Sequence, residues 1–250
     1  MVEELLSLRV LVASPAGDDR DRLRRAAAAA TVPIEIIEAQ DAASACRSIA
    51  GDIDLALLDA ALGSGEIAGI AAAARTARKA PFTVLLTGVN GAPSFATDGL
   101  APKPMDAQAA EGFVQGTIRL CVPSRVLVVD DSSTMRSIVR KTLAATRFPL
   151  KVTEVAGGAD ALELARSAAF DVVFVDYNLP GFDGLQTIAE FQRENRRVMF
   201  VLITSAQDEA LALRARARGA AFLKKPFFPA DIENVLCGLY GLRALAPQRG

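Results

Sequence analysis

Acidic, hydroxyl and basic side chains follow four apolar segments in the second half of the chain. They are Asp130 with Asp131, Asp176, Thr204 and Lys225. An apolar segment rich in β-branched and aromatic residues that stops at a polar residue is typical of a buried parallel strand. Because the carboxyl ends of parallel strands meet at one edge of a sheet, these side chains are predicted to lie together.

The predicted cluster has the composition of a divalent cation site. Like charges ~4 Å apart repel by roughly 4 kcal/mol at an effective dielectric of 20, so three carboxylates need a counter-charge. Hard oxygen ligands favour Mg²⁺. Each residue also has a purely structural interpretation: Asp130 could cap the following helix, Thr204 could bond to the backbone, and Lys225 could be solvated.

Alternating strands and helices must position these side chains. Strands of the second half are predicted at 125–129, 150–155, 170–176, 198–203 and 220–225. Helices follow them near 133–146, 159–168, 185–195, 208–218 and 229–242. This alternation predicts an α/β domain with a parallel sheet.

The first half repeats this pattern. Its strands are predicted at 9–13, 34–37, 54–59, 82–87 and 100–104, and its helices near 18–30, 41–50, 67–79 and 106–120. A segment rich in Gly and Pro follows Thr87, so the helix expected there should be shortened or absent. The chain is therefore predicted to be a duplication joined by a short linker at 122–124.

In their order and spacing, the five residues named first closely resemble the receiver domain of two-component response regulators. The resemblance covers roughly residues 124–245. It implies two tandem CheY-like domains, each a flavodoxin-like (βα)5 fold with a five-stranded parallel sheet and helices on both faces. We expect a receiver-like domain at 1–122 and a receiver domain with an intact phosphorylation site at 123–250.

The resemblance also implies a role for each residue of the metal site. Mg²⁺ would be bound by Asp131, Asp176 and the backbone carbonyl of Asn178, with Asp130 acting through a water. Asp176 would attack phosphorus to form an aspartyl phosphate, and Lys225 would pair with the phosphoryl oxygens.

A second set of residues is implied to carry the signal. Thr204 would hydrogen-bond a phosphoryl oxygen, and Phe222 would be the aromatic residue that moves inward when Thr204 does so. Core packing would equally explain Phe222. The surface formed by residues 208–240 would then be the output face, and Pro226 is expected to follow a cis peptide bond.

The expected function is that of a response regulator. By resemblance, the phosphodonor is a histidine kinase or a histidine phosphotransfer protein, and the output is binding of a downstream protein or self-association through the output face. Two domains leave no length for a DNA-binding or enzymatic output domain. We therefore expect a switch that accepts and then loses a phosphoryl group, and not an enzyme.

Two alternatives stay open at this point. One is a phosphohydrolase that uses an aspartyl-phosphate intermediate, although such enzymes place the nucleophile after the first strand. The other is a scaffold that is never phosphorylated. Release of free phosphate over many turnovers would favour the hydrolase, and failure to label would favour the scaffold.

Composition narrows the function further. The net charge of −1 gives no reason to expect a nucleic-acid or membrane surface. The sequence contains no histidine, so a phosphohistidine and histidine metal ligands are excluded within it.

Cys46, Cys121 and Cys237 are scattered and should be free thiols. No apolar run reaches the ~18 residues of a membrane span, and we expect a cytoplasmic protein.

The first half lacks the acidic pair. Ser14 and Pro15 occupy the positions of the two acids, although Asp59 and Lys103 are kept. A single carboxylate should hold Mg²⁺ only weakly, because the ion gives up its water reluctantly. The first half is therefore predicted to be a receiver-like fold without a metal site, in which Lys103 pairs with Asp59.

Overall fold

The structure is a computed structural model that describes residues 7–88, 97–194, 197–206 and 208–243. The chain divides into two compact units. Unit 1 comprises the described residues up to Val122 together with Tyr240 to Arg243, and unit 2 comprises Pro123–Leu239. The residues from Tyr240 therefore group with unit 1, although they follow unit 2 in the sequence.

Within its described residues, unit 1 contains five strands and four α-helices. The strands are β1 (Leu8–Ala13), β2 (Ile34–Ala39), β3 (Leu55–Asp59), β4 (Phe82–Thr87) and β5 (Gly99–Pro102). The helices are α1 (Gly17–Ala28), α2 (Ala42–Ile49), α3 (Ser64–Thr76) and α4 (Ala107–Ile118). The shortened or absent helix expected after Thr87 falls mainly on residues 89–96, which lie outside the described residues.

Unit 2 repeats the architecture with one helix more in its described part. The strands are β6 (Ser124–Val129), β7 (Leu150–Val155), β8 (Val172–Asp176), β9 (Met199–Thr204) and β10 (Ala220–Lys224). The helices are α5 (Ser133–Ala144), α6 (Gly158–Ser167), α7 (Gly184–Glu194), α8 (Glu209–Ala217) and α9 (Pro229–Leu239).

Each unit contains a fully parallel sheet with the same strand order. The order is β2-β1-β3-β4-β5 in unit 1 and β7-β6-β8-β9-β10 in unit 2. This is the flavodoxin-like order, and its right-handed crossovers place helices on both faces of the sheet. The predicted fold class is confirmed.

The central strands are buried because helices cover both faces of the sheet. Every residue of β3 and β8 is buried, which explains why these segments are continuous apolar runs and do not alternate with polar residues. Both strands end in a buried aspartate at the carboxyl edge. No helix within the described part of the chain is long and apolar enough to span a membrane.

The last described residues form part of unit 1. The helix predicted to reach about residue 242 ends at Leu239, and Gly241 has a φ of 80°, a left-handed conformation that glycine adopts without strain. The chain then pairs with the edge of β5, where the amide of Leu100 donates to the carbonyl of Arg243 at 2.8 Å and the amide of Arg243 donates back at 2.7 Å. Helix propensity alone did not predict this turn.

Candidate functional site

One lysine joins two of the predicted acids at the carboxyl edge of the unit 2 sheet. Asp130 follows β6, Asp176 ends β8, and Lys225 follows β10. The Nζ atom of Lys225 lies 2.6 Å from Asp176 Oδ1 and 3.0 Å from Asp130 Oδ2. The two carboxyl groups are almost fully buried, with Asp130 2% and Asp176 5% exposed. Three of the sequence-predicted residues therefore meet within hydrogen-bond distance.

Backbone amides hold the remaining carboxylate oxygens. The amide of Asn178 donates to Asp176 Oδ2 at 2.8 Å, and the amide of Ser132 donates to Asp130 Oδ1 at 2.9 Å. Both bonds close tight turns at the strand ends, a geometry that Asp favours. Each carboxylate is therefore fixed by one local backbone donor and by the ammonium group of Lys225.

The charge state of Lys225 is set by opposing effects. Partial burial by itself lowers the pKa of the ammonium group, but the hydrogen bonds to Asp176 and Asp130 outweigh burial and raise the pKa above its usual value. Lys225 is therefore positively charged throughout the physiological pH range. It balances part of the negative charge that the two acids bring to the edge of the sheet.

The other predicted residues lie around this centre, and the amide of Lys225 donates to the carbonyl of Thr204 at 2.8 Å. Asp131 and Asn178 are exposed at the same edge, and Thr204, fully buried at the end of β9, accepts a hydrogen bond at Oγ1 from the amide of Ala206 at 3.1 Å. Phe222 is partly buried and packs against the core of unit 2. The Lys225–Pro226 peptide bond is cis, as expected.

The donor set of the edge fits a magnesium ion. Among the residues that the structure describes, no three acidic, cysteine or histidine side chains converge on one point. Mg²⁺ does not need such a set, since it keeps several waters and uses one or two carboxylates. Asp131 and Asp176 would provide that pair, with the carbonyl oxygen of Asn178 beside them and Asp130 close enough to act through a water.

Gly184 is a further residue of this edge that sequence reasoning missed. Its amide donates to the carbonyl of Tyr177 at 2.9 Å, which brings the start of α7 against the end of β8. A Cβ atom on Gly184 would lie 2.4 Å from the carbonyl oxygen of Asp176 and 2.9 Å from Leu202 Cδ1. No sequence pattern pointed to Gly184, because the close approach depends on how α7 packs.

The corresponding edge of unit 1 is closed by an ion-pair network. Lys103 Nζ lies 2.6 Å from Asp59 Oδ2, as predicted, and 2.7 Å from Asp19 Oδ2. The hydroxyl of Ser14 donates to Asp59 Oδ2 at 2.5 Å, and Arg22 Nη1 lies 2.7 Å from Asp19 Oδ1. Asp59 is therefore contacted by Lys103 and by the hydroxyl of Ser14. Asp176 of unit 2 is contacted by Lys225, which also holds the carboxylate of Asp130.

Opposing effects also act on the charges of this network. Burial alone would raise the pKa of Asp19, but the hydrogen bonds from Lys103 and Arg22 lower it below its usual value. Burial alone would lower the pKa of Lys103, but hydrogen bonds to Asp19 and Asp59 raise it. Both groups are therefore ionised at neutral pH, and each stabilises the charge of the other.

The cysteines do not take part in either edge. All three are free thiols, as expected. Burial raises the pKa of Cys121 to about 12 and that of Cys237 to about 11. The two thiols are protonated at neutral pH and are therefore poor nucleophiles and poor metal ligands.

Comparison with known proteins identifies a family match within unit 2. Residues 126–236 match the family model described as response regulator receiver domain. The response regulator UvrY of Escherichia coli (strain K12) is 30% identical over 123 residues, which are 48% of this chain and 56% of UvrY. The cyclic di-GMP phosphodiesterase response regulator RpfG of Xanthomonas campestris pv. campestris (strain 8004) is 27% identical over 143 residues, 56% of this chain and 38% of RpfG.

The comparisons therefore concern a part of each longer protein. The chain spans about half the length of UvrY and less of RpfG. Among solved structures, the signal receiver domain of NarL from Mycobacterium tuberculosis is 30% identical, with a TM-score of 0.44, over 47% of this chain and 96% of that one. Unit 2 therefore belongs to the response regulator receiver domains, and unit 1 repeats its parallel sheet with the same strand order.

Proposed function

We propose that this protein is a phosphorylation-controlled switch in two-component signalling and that Asp176 is the residue that accepts the phosphoryl group. The observation that carries the proposal is the convergence of Asp176, Asp130 and Lys225 at one sheet edge, with two buried carboxylates held on a single ammonium group. Unit 1 has no counterpart of Asp130, since Ser14 stands there. The function is therefore assigned to unit 2.

Mg²⁺ is the cofactor that this edge would use. Asp131, Asp176 and the backbone carbonyl of Asn178 would hold the ion, with Asp130 acting through a water. When bound, the ion supplies positive charge against phosphoryl oxygens and lets a carboxylate approach phosphorus. This set fits the family assignment and the oxygen donors found at the edge.

Three side chains of unit 2 would carry out the phosphoryl transfer. A carboxylate oxygen of Asp176 forms the new bond to phosphorus as the bond from phosphorus to the leaving atom of the donor breaks. Lys225 neutralises charge on the phosphoryl oxygens. The hydroxyl of Thr204 gives up its hydrogen bond with the amide of Ala206 and donates to one of these oxygens. These are contributions of position and charge.

The signal would leave the site through Thr204 and Phe222. Phe222 packs against the core only in part, so an inward movement when Thr204 changes partner would bury more of its side chain. The surface that would respond is the output face, residues 208–240, which includes the exposed arginines of α8. A downstream protein or a second copy of the chain would bind there.

The phosphodonor would be a histidine kinase or a histidine phosphotransfer protein. Because the sequence contains no histidine, the phosphohistidine must lie outside these 250 residues. The donor would approach the edge where Asp131 and Asn178 are exposed, since the phosphoryl group must reach Asp176 from solvent.

Phosphorylation with a small-molecule donor tests this proposal. Acetyl phosphate with Mg²⁺ should label the intact chain once, and Asp176→Asn should abolish the label because the carboxylate nucleophile is lost. The matched control is Asp59→Asn, which removes the equivalent acid of unit 1 and should leave labelling unchanged. Labelling that survives in Asp176→Asn would overturn the assignment, and a wild-type chain that never labels would favour the scaffold hypothesis.

A further inference from the structure

Two arginines and one glutamate form a fork beside the acidic loop of unit 2. Arg136 and Arg140 lie about one turn apart on α5, and their Nε atoms are 3.6 Å and 2.8 Å from the two carboxylate oxygens of Glu154 on β7. Arg136 Nη1 also donates to the carbonyl oxygen of Asp130 at 2.7 Å, and the carbonyl oxygen of Asp131 lies 3.4 Å away. We call these three residues the Arg136 fork.

The same fork is built in unit 1. Arg20 and Arg24 of α1 both pair with Glu38 of β2, with each Nε atom 3.2 Å from a carboxylate oxygen. Arg20 Nη1 donates to the carbonyl oxygen of Ser14 at 2.5 Å, the position that corresponds to Asp130. The Arg20 fork therefore makes the same contacts, but on a loop that carries Ser14 and Pro15 in place of two acids.

The contacts of the Arg136 fork constrain the backbone that carries the acids. A peptide unit is planar, so fixing the carbonyl oxygen of Asp130 also fixes the orientation of the amide that leads into Asp131. From the other side, the carboxylate of Asp130 accepts from the amide of Ser132 at 2.9 Å. Without the guanidinium group, repulsion between neighbouring carboxylates would be free to turn these peptide planes.

The geometry requires a guanidinium group. Arg136 uses Nη1 for the loop and Nε for Glu154, and the planar guanidinium holds these donors at a fixed angle. Lysine carries the same charge at a single point and cannot hold both partners in this arrangement. Because both side chains are partly exposed, the ion pair itself contributes little to stability, so its main effect is to orient the loop.

We propose that Arg136 is a positioning residue for the metal and phosphoryl site of unit 2, acting through the backbone of Asp130 and Asp131. The proposal rests on the proposed function, since it assigns to Arg136 the placement of two of the predicted ligands. Partners that orient metal ligands from outside typically change metal affinity by 10–100-fold when they are replaced.

Isothermal titration calorimetry of the full chain with Mg²⁺ alone tests the proposal. Arg136→Gln and Arg136→Lys should each weaken Mg²⁺ binding by about tenfold. The rate of labelling by acetyl phosphate should recover towards the wild-type value at saturating Mg²⁺, because Arg136 does not contact the reacting atoms. The matched control, Arg20→Gln, removes the same contacts in unit 1 and should leave the Mg²⁺ affinity unchanged.

Each contrary result has a distinct meaning. Wild-type Mg²⁺ affinity in Arg136→Gln, in a chain with unaltered circular dichroism, would overturn the positioning role and leave the proposed function intact. Full rescue by Arg136→Lys would also overturn it, because charge and not geometry would then be responsible. Labelling by acetyl phosphate that persists in Asp176→Asn would overturn the proposed function itself.

Discussion

At the scale of single residues, the two units differ in the second partner of one lysine. In each unit the lysine after the fifth strand contacts the aspartate that ends the third strand, at 2.6 Å in both cases. Lys225 then contacts Asp130, which follows the first strand, whereas Lys103 contacts Asp19, which belongs to α1. Arg22 neutralises Asp19 in turn. The edge of unit 1 is therefore balanced in charge by residues of the protein itself.

Replacing Asp19 should destabilise unit 1 in a pH-dependent way. Asp19→Asn removes an ion pair with Lys103 and should cost about 1 kcal/mol at pH 7 in urea denaturation. The pKa of Asp19 is lowered in the folded state, so its contribution is present above the ordinary value of 3.8 and is lost as the pH falls through the lower folded-state pKa. The difference between variant and wild type should shrink below pH 3.8, and a deficit that is constant with pH would contradict this account.

At the scale of secondary-structure elements, the start of α7 packs against the carboxyl edge of the unit 2 sheet beside Asp176. Gly184 is buried and leaves no room for a side chain against the carbonyl of Asp176. The first turn of α7 therefore touches the backbone of β8 directly. The position of Asp176 depends on helix packing as well as on the strand that carries it.

Gly184→Ala should disturb the site through this packing. Its Cβ would lie 2.4 Å from the carbonyl oxygen of Asp176, so α7 must move, at a cost of about 1–3 kcal/mol. The labelling yield with acetyl phosphate should fall together with thermal stability. Gly69→Ala in α3 is the control: it has no atom within 4 Å of the added Cβ, and it should stabilise the protein by about 0.5–1 kcal/mol. Equal behaviour of the two variants would disprove the role of α7.

At the scale of the whole molecule, unit 1 is assembled from two separate parts of the chain. Tyr240 and Leu242 are each 3% exposed. A Cβ atom on Gly99 would lie 3.2 Å from Leu242 Cδ1, and one on Gly116 would lie 2.9 Å from the carbonyl oxygen of Tyr240. The two glycines leave space for the C-terminal segment beside β5 and α4. The edge strand of this sheet is thereby covered, which protects its free backbone groups from pairing elsewhere.

Leu242→Asp in the full chain should release this segment. Removing a buried leucine costs about 1.5–3 kcal/mol, and the amide of Leu100, which donates to Arg243, should lose protection from hydrogen exchange. Leu213→Asp makes the same change at a side chain that is 64% exposed on α8, and it should leave that amide protected. Unchanged exchange of Leu100 in Leu242→Asp would show that the segment does not hold the edge.

The sequence by itself determined the alternation of elements, the duplication, and the placement of Asp130, Asp176 and Lys225 at strand ends. These features follow from local periodicity and from the rule that parallel strands end at one edge. The sequence also identified Asp59 and Lys103 as a pair, since they follow the third and fifth strands of unit 1 as Asp176 and Lys225 do in unit 2.

Only the tertiary structure decided the contacts that local patterns do not encode. Asp19 contacts Lys103, and Arg136 contacts the carbonyl of Asp130, because the first turns of α1 and α5 begin beside the carboxyl ends of β1 and β6. Gly184 and the Leu100–Arg243 pairing depend on close approach of backbones. Backbone carbonyls and amides are the same in every residue, so no sequence pattern shows which of them will be contacted. Packing between distant segments selects them.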